Sequence, residues 1–242
     1  MVSESGKSGR KGGRPPGRPV GRPRGDGRPH LTREEVFVVT ARLVAQHGVS
    51  GTSIRMIAGA LQASPASLFH LFGSKAGLLN DMIAYAAGPS GTFYEALCQL
   101  DLPAEVALYK SIYEETRVVA AADRDQAALF YLPELRLPDF APAQAVREGL
   151  VVHYHWLIAE GCMSGALAVA HPSLAAEQLF QLSETSILAG EMAQDIPAAA
   201  QARATADFCL RGLLTAPERL DSVRAQADAV PLTIEIPALV DG

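Results

Sequence analysis

Residues 31–79 read LTREEVFVVTARLVAQHGVSGTSIRMIAGALQASPASLFHLFGSKAGLL, and the kind of protein this is turns on this stretch. Thr32 followed three residues later by Glu35 is the pattern of a capping box, in which each side chain bonds the other residue's backbone N–H and opens a helix. Val36, Phe37, Val39, Thr40, Leu43 and Val44 then recur at helical spacing, and Gly48 supplies a left-handed stop. This predicts a first helix over about residues 32–47. Thr52 or Ser53 caps a second helix running to about Leu61, with Ile54, Ile57 and Ala58 facing inward. Ser64 caps a third, whose first position is Pro65, where a missing N–H costs nothing. Leu68, Leu71 and Phe72 point back to a core, leaving Pro65, Ala66, Ser67, Phe69 and His70 outward or at its edge. Two short helices joined by a tight turn, the second opening with small and polar residues, form a helix-turn-helix. Such a unit enters the DNA major groove with the N-terminus of its second helix first.

The order of these features resembles the DNA-binding domain of the TetR/AcrR family of bacterial regulators. The resemblance is carried by Gly48, Thr52-Ser53-Ile54-Arg55, Ile57-Ala58, Ser64, the segment Leu68-Phe69-His70-Leu71-Phe72, and Ser74-Lys75 opening a fourth helix. There are two departures. Gln62 stands where the family has a turn glycine, so the turn forms without the residue best suited to positive φ. Phe69 stands where the family has tyrosine, which keeps the packing and loses a hydroxyl that would bond phosphate. Carried over residue by residue, the resemblance implies that Ser53, Phe69, His70 and Lys75 position the DNA backbone. It also implies that Arg55, Ala66 and Ser67 are the candidates for base edges, a plain phosphate contact being the alternative for Arg55, with Thr52, Ser64 and Pro65 at the same surface. It further implies an all-α chain in which the C-terminal helices bind a small-molecule effector and form a homodimer on a palindromic operator. The effector would tilt the fourth helix, respace the two recognition helices and release double-stranded DNA, the behaviour of a repressor.

Charge is divided unevenly along the chain. The net formal charge is -5, yet residues 1–30 carry +6, residues 31–76 carry +2 and the remainder -13. One end attracts polyanions and the rest avoids them. Residues 1–30 repeat Gly-Arg-Pro four times and hold almost no large apolar side chain, so they are read as a disordered basic arm. Proline extends the backbone and glycine keeps it slim, so that Arg14, Arg18, Arg22, Arg24 and Arg28 project from a thin strand suited to a narrow minor groove. The Gly-Arg-Pro core resembles the AT-hook motif, most nearly at Gly21–Arg24. A tail giving only loose phosphate attraction is the plain alternative, and an architectural DNA-binding protein dominated by the arm is the alternative function.

Beyond residue 76 the periodicity predicts helices near 74–87, 92–99, 104–121, 125–132, 142–163, 173–194 and 198–215, a helical body over 77–216, and a tail over 217–242 in which PLTIEIPAL has strand character. On the last helix Ala202, Ala206, Cys209 and Leu213 form a stripe of mostly small residues. With Leu179, Phe180, Leu182 and Ile187 on the preceding helix, it is expected to build a four-helix dimer interface, ordinary intrachain core being the alternative. Tyr109, Tyr113, Phe130, Tyr131, His153 and Trp156 are the candidate walls of an effector pocket. His153 and His155 are two apart on a helix and face differently, so no metal site is expected. Cys98, Cys162 and Cys209 are expected as reduced, buried small hydrophobes. No phosphate loop or nucleophile elbow is present in the sequence, so neither an enzyme nor a cofactor is expected. No run reaches the roughly 18 apolar residues that a membrane span needs, and a cytoplasmic protein is expected.

Overall fold

The computed structural model describes residues 31–122, 132–188 and 195–235, without the side chains of Pro133 and residues 184–188. The expectations for Arg14, Arg18, Arg22, Arg24, Arg28, Phe130, Tyr131 and most of the helix at 125–132 lie outside these residues, as does that for the side chain of Ile187.

α1 (Arg33–Gly51) opens on the expected capping box. Glu35 N–H donates to Thr32 Oγ1 at 3.2 Å, and Thr32 N–H donates to Glu35 Oε2 at 2.9 Å. The helical backbone breaks at Gly48, where φ 70° and ψ 170° suit essentially only glycine. α2 (Ile54–Ala60) and α3 (Pro65–Phe72) follow, each with the serine N-cap that the sequence marks. Between them Gln62 adopts φ 52°, so the left-handed turn is made by a side chain where glycine would be easier. Val36, Phe37, Val44, Ile54, Ile57, Leu68 and Phe72 close over one another as a first core, joined by Leu78 and Met82.

The last two of these belong to α4 (Lys75–Cys98), one helix where the sequence predicts two. Pro89 sits inside it, and an interior proline costs about 3 kcal/mol. Beyond the proline, Phe93, Tyr94 and Leu97 are buried, each contributing roughly 1.5–3 kcal/mol, so continuity outweighs the break. These three enter a second core with α5 (Ala104–Ala121), α6 (Ala141–Met163), α7 (Pro172–Leu188), α8 (Ala198–Leu213) and α9 (Leu220–Asp228).

Two expectations are corrected here. Residues 220–234 pack into the helical body, although the sequence reading placed them in a tail. Leu220, Val223, Ala227, Val230 and Ile234 are all buried. Ion pairs hold α9 and its neighbours in place: Arg224 to Asp207 at 2.7 Å, Arg203 to Asp228 at 2.9 Å and Arg219 to Glu105 at 2.6 Å. Pro231–Glu235 form no strand; instead Ile234 O accepts from Arg117 at 2.8 Å.

The second correction concerns the expected dimer stripe. Leu179, Phe180, Ala202, Ala206 and Cys209 are buried within the single chain, and Leu182 and Leu213 pack partly against the same core. Small residues on α8 do let a helix approach closely, but that helix is α5 of the same chain, which meets α8 more extensively than any other element. α8 turns Ala204, Phe208 and Gly212 outward, and Phe208 is 72% exposed.

The left-handed turn is testable by thermal denaturation. Gln62→Gly is expected to leave the midpoint unchanged or raise it, whereas Gln62→Val is expected to cost about 1–2 kcal/mol, because a β-branched residue tolerates positive φ worst.

Candidate DNA-binding surface and effector cleft

At the helix-turn-helix, capping and exposure coincide. Met56 N–H donates to Ser53 Oγ at 3.3 Å, Ser67 N–H donates to Ser64 Oγ at 3.1 Å, and the two hydroxyls of Ser64 and Ser67 lie 2.8 Å apart. Ser53, Arg55, Ser64, Pro65, Ala66, Ser67, Phe69 and His70 are all exposed. Packing is supplied by Leu68 and Phe72; Leu71, expected to face the core, is exposed instead, and Phe69, 50% exposed, is not needed by the core. The first turn of α3 therefore presents small side chains, hydroxyls and the positive end of a helix to solvent, a surface that fits a groove lined by phosphates and base edges.

Thr52 is placed differently from the expectation. It is buried, and its hydroxyl lies 2.8 Å from Gly48 O and 3.1 Å from Leu43 O, where it seals the end of α1 rather than facing outward. Lys75 is half-buried, and its ammonium donates to Val49 O at 2.7 Å and Thr52 O at 3.0 Å. Two of its three N–H bonds thus tie the start of α4 to the α1–α2 junction. A second tie comes from Asn80 on α4, whose side chain donates to Asp139 O at 2.9 Å and accepts from Ala143 N–H at 3.2 Å. Phe140, just before α6, is buried in the same core as the helix-turn-helix. Arg33 of α1 also pairs with Asp81 of α4 and lies over the Phe72 ring.

At the far end of α4 a cleft of about 490 Å³ opens between the C-termini of α4 and α6 and the start of α5. Its lining includes Cys98, Glu105, His153, Trp156, Glu160 and Arg219. His153 and Trp156, two of the expected pocket residues, are brought together there. Tyr109 and Tyr113 are not: Tyr109 is buried with its hydroxyl donating to Asp207 at 2.7 Å, and Tyr113 lies under the Arg203 guanidinium, 5.0 Å from ring centroid to cation. Cys98 is exposed, contrary to the expectation of a buried thiol, while Cys162 is half-buried and Cys209 buried. Sequence reasoning also missed Glu105, Glu160 and Arg219, which are far apart in the chain and share no local pattern.

Behind the cleft wall lies a buried polar cluster. The His153 ring stacks on Tyr94 at 3.8 Å between centroids, and its Nε2 lies 2.9 Å from Ser111 Oγ. Tyr94 O–H donates to Glu115 Oε1 at 2.7 Å. Burial pushes the Glu115 carboxyl above the usual carboxylate range, with the Tyr94 hydrogen bond pulling the other way. Burial lowers His153 to about 4, so its ring is neutral at physiological pH. His155, two residues on, is exposed. Among the described residues no group of three or more His, Cys, Asp or Glu is placed to hold a metal, and no helix is long and apolar enough to cross a membrane.

Residues 37–82 match the family model of the bacterial regulatory proteins of the tetR family. No curated protein sequence matches the chain. Among solved structures, AmtR of Mycobacterium smegmatis is 27% identical, with a TM-score of 0.66 over 87% of this chain and 100% of that one. FadR of Bacillus subtilis, in complex with stearoyl-CoA, shares the fold at 17% identity, with a TM-score of 0.61 over 75% of this chain and 99% of that one. AibR, in complex with isovaleryl coenzyme A and operator DNA, shares it at 16% identity, with a TM-score of 0.62 over 73% of this chain and 97% of that one.

Two measurements test these placements. Lys75→Met is expected to lower stability by about 2 kcal/mol through the loss of its charged hydrogen bonds, while the salt dependence of DNA binding is unchanged. A slope shallower by about 0.9 would return Lys75 to the phosphate contacts. Because the unfolded His153 takes a proton below about 6.5 and the folded one only near 4, its contribution is present at neutral pH and lost as pH falls through that window. Denaturant titrations from pH 7 to 4 are expected to show wild type losing about 3 kcal/mol more than His153→Gln.

Proposed function

We propose that this chain, a ligand-responsive DNA-binding regulator whose residues 37–82 match the tetR family, represses transcription as a cytoplasmic homodimer on a palindromic operator. The observation that carries the reading is the exposed first turn of α3, with Ser64, Pro65, Ala66 and Ser67 outward beside Ser53, Arg55, Phe69 and His70. Arg55 suits guanine, Ala66 suits a thymine methyl, and the serines, His70 and the rim of Phe69 suit the backbone. We place the DNA-binding unit at residues 31–76 and extend the effector-binding and dimerising body from 77 through α9.

Dimerisation uses the outward face of α8. A phenylalanine 72% exposed at position 208, flanked one turn away by Ala204 and Gly212, is an apolar face on which a second copy packs closely. Effector binding in the body changes DNA affinity through α4, which is anchored at one end by Lys75 and Asn80 and lines the cleft at the other. The effector acts only through its different affinity for the two arrangements of that helix. The complexes of FadR and AibR with acyl-CoA molecules support a small-molecule effector for this fold. The arginine arm adds salt-dependent contacts in the minor groove flanking the operator.

The test is binding of the full chain to the promoter beside its own gene and to random DNA at several salt concentrations. Arg14, Arg18, Arg22, Arg24 and Arg28 changed together to Gln are expected to weaken both, with a shallower salt slope and a preserved promoter preference. Phe208→Asp is expected to give a folded monomer with operator affinity reduced at least 100-fold. A promoter preference that vanishes with the arm would favour an architectural protein.

A further inference from the structure

The cleft at the end of α4 favours one sign of charge. On α6, Trp156 and Glu160 are one turn apart, so they lie side by side, and both line the cleft. The indole is half-exposed, and the half-buried Glu160 carboxylate has no hydrogen-bond or ion-pair partner among the described residues. Glu105, in the first turn of α5, is only 4% exposed. Its Oε1 accepts from Arg219 at 2.6 Å, and no described residue donates to Oε2. That second oxygen is not sealed inside the protein, so it opens on the cleft that Glu105 lines.

An anion finds little to bind there. Arg219 is the one cation among the lining residues, and a ligand that drew it away would leave the Glu105 carboxylate buried and unpaired, which is costly. Burial lowers His153 to about 4, so its ring brings no positive charge at neutral pH. The C-termini of α4 and α6, the negative ends of their dipoles, border the cleft, whereas the positive start of α5 is already met by Glu105. Beyond residue 76 the chain carries a net charge of -13, which draws cations toward the body. The rest of the wall is largely apolar, with Leu97, Leu102 and Leu157, and its 490 Å³ is room for a small organic molecule. No three metal-donor side chains among the described residues are grouped to hold a metal ion, so the cation that fits is an organic one.

We infer that the cleft binds an amphipathic organic cation, an amine or quaternary ammonium carried on an apolar body. The ammonium takes the Trp156 indole and the Glu160 carboxylate as its partners, because an aromatic face and a carboxylate one turn apart attract the same positive group. The open oxygen of Glu105 adds to the attraction without disturbing its pair with Arg219. Affinity comes from covering the apolar body along Leu97, Leu102 and Leu157, and selectivity comes from the charge. This names the effector class for the regulator proposed above. It rests on that reading only for its consequence on DNA, since the helix that ends at the cleft begins in the helix-turn-helix core.

The test titrates the full chain at neutral pH with three probes that share one apolar body and differ in charge: 4-phenylbutyltrimethylammonium, 4-phenylbutanol and 4-phenylbutanoate. Calorimetry gives the affinities, and fluorescence places the probe, because Trp156 is the only tryptophan in the chain. The cation is expected to bind at least 10-fold tighter than the alcohol and to change the Trp156 emission, with the carboxylate weaker than the alcohol. Glu160→Gln is expected to cut the preference for cation over alcohol at least 5-fold, and Trp156→Leu to weaken cation binding at least 5-fold. Both side chains lie outside the two hydrophobic cores, so both variants are expected to fold. Alcohol or carboxylate binding as tight as the cation, an undiminished preference in Glu160→Gln, or no binding of any probe would overturn the assignment. Promoter binding is measured on the same samples. Selective cation binding by a chain with no promoter preference overturns the regulator reading alone, and promoter preference without cation selectivity overturns the cleft assignment alone.

Discussion

The continuity of α4 through Pro89 is the constraint on which the remaining organisation depends. A helix of 24 residues spans about 36 Å, and its two ends are buried in different hydrophobic cores. Leu78, Leu79 and Met82 belong to the helix-turn-helix, whereas Phe93, Tyr94 and Leu97 belong to the helical body. A break at the proline would leave the two cores joined at α4 only by a flexible link. Because the helix continues, Lys75 and Cys98 stand at the two ends of one element that enters both cores.

Polar contacts fix the start of this helix to its neighbours. Lys75 binds the carbonyls of Val49 and Thr52 at the end of α1, and Asn80 bridges Asp139 and Ala143 at the entrance to α6. Phe140 carries the body into the first core. The helix-turn-helix is thus attached to the rest of the chain at both the start of α4 and the start of α6. Elsewhere buried Glu114, paired with Lys110 and Arg117 within α5, accepts from Ile234 N–H while Arg117 donates to Ile234 O, which ties α5 to the segment after α9.

The exposed features sit where packing leaves freedom. The first turn of α3 is exposed because its large apolar residues Leu68 and Phe72 lie beyond it, and the cleft opens where α4 and α6 end and α5 begins. Phe208 is exposed because the opposite side of α8 is already occupied by α5. One helix therefore has a face closed by its own chain and a face left open to solvent.

The sequence by itself determined the all-α class, the three N-terminal helices with their caps, and the outward residues of α3, because capping and helical periodicity are local and act within a few residues. It also carried a signal that went unread in the 3-4-3-4 spacing of Leu220, Val223, Ala227, Val230 and Ile234. Tertiary structure alone decided what each face meets. A stripe of small residues such as Ala202, Ala206 and Cys209 calls for a close neighbour without saying whether it lies in the same chain, and a proline breaks a helix only if burial beyond it does not compensate. Thr52 has the composition of a surface contact and the position of an internal seal. Cys98, His153 and Arg219 meet at one cleft across more than a hundred residues of chain, and no local energy records that encounter.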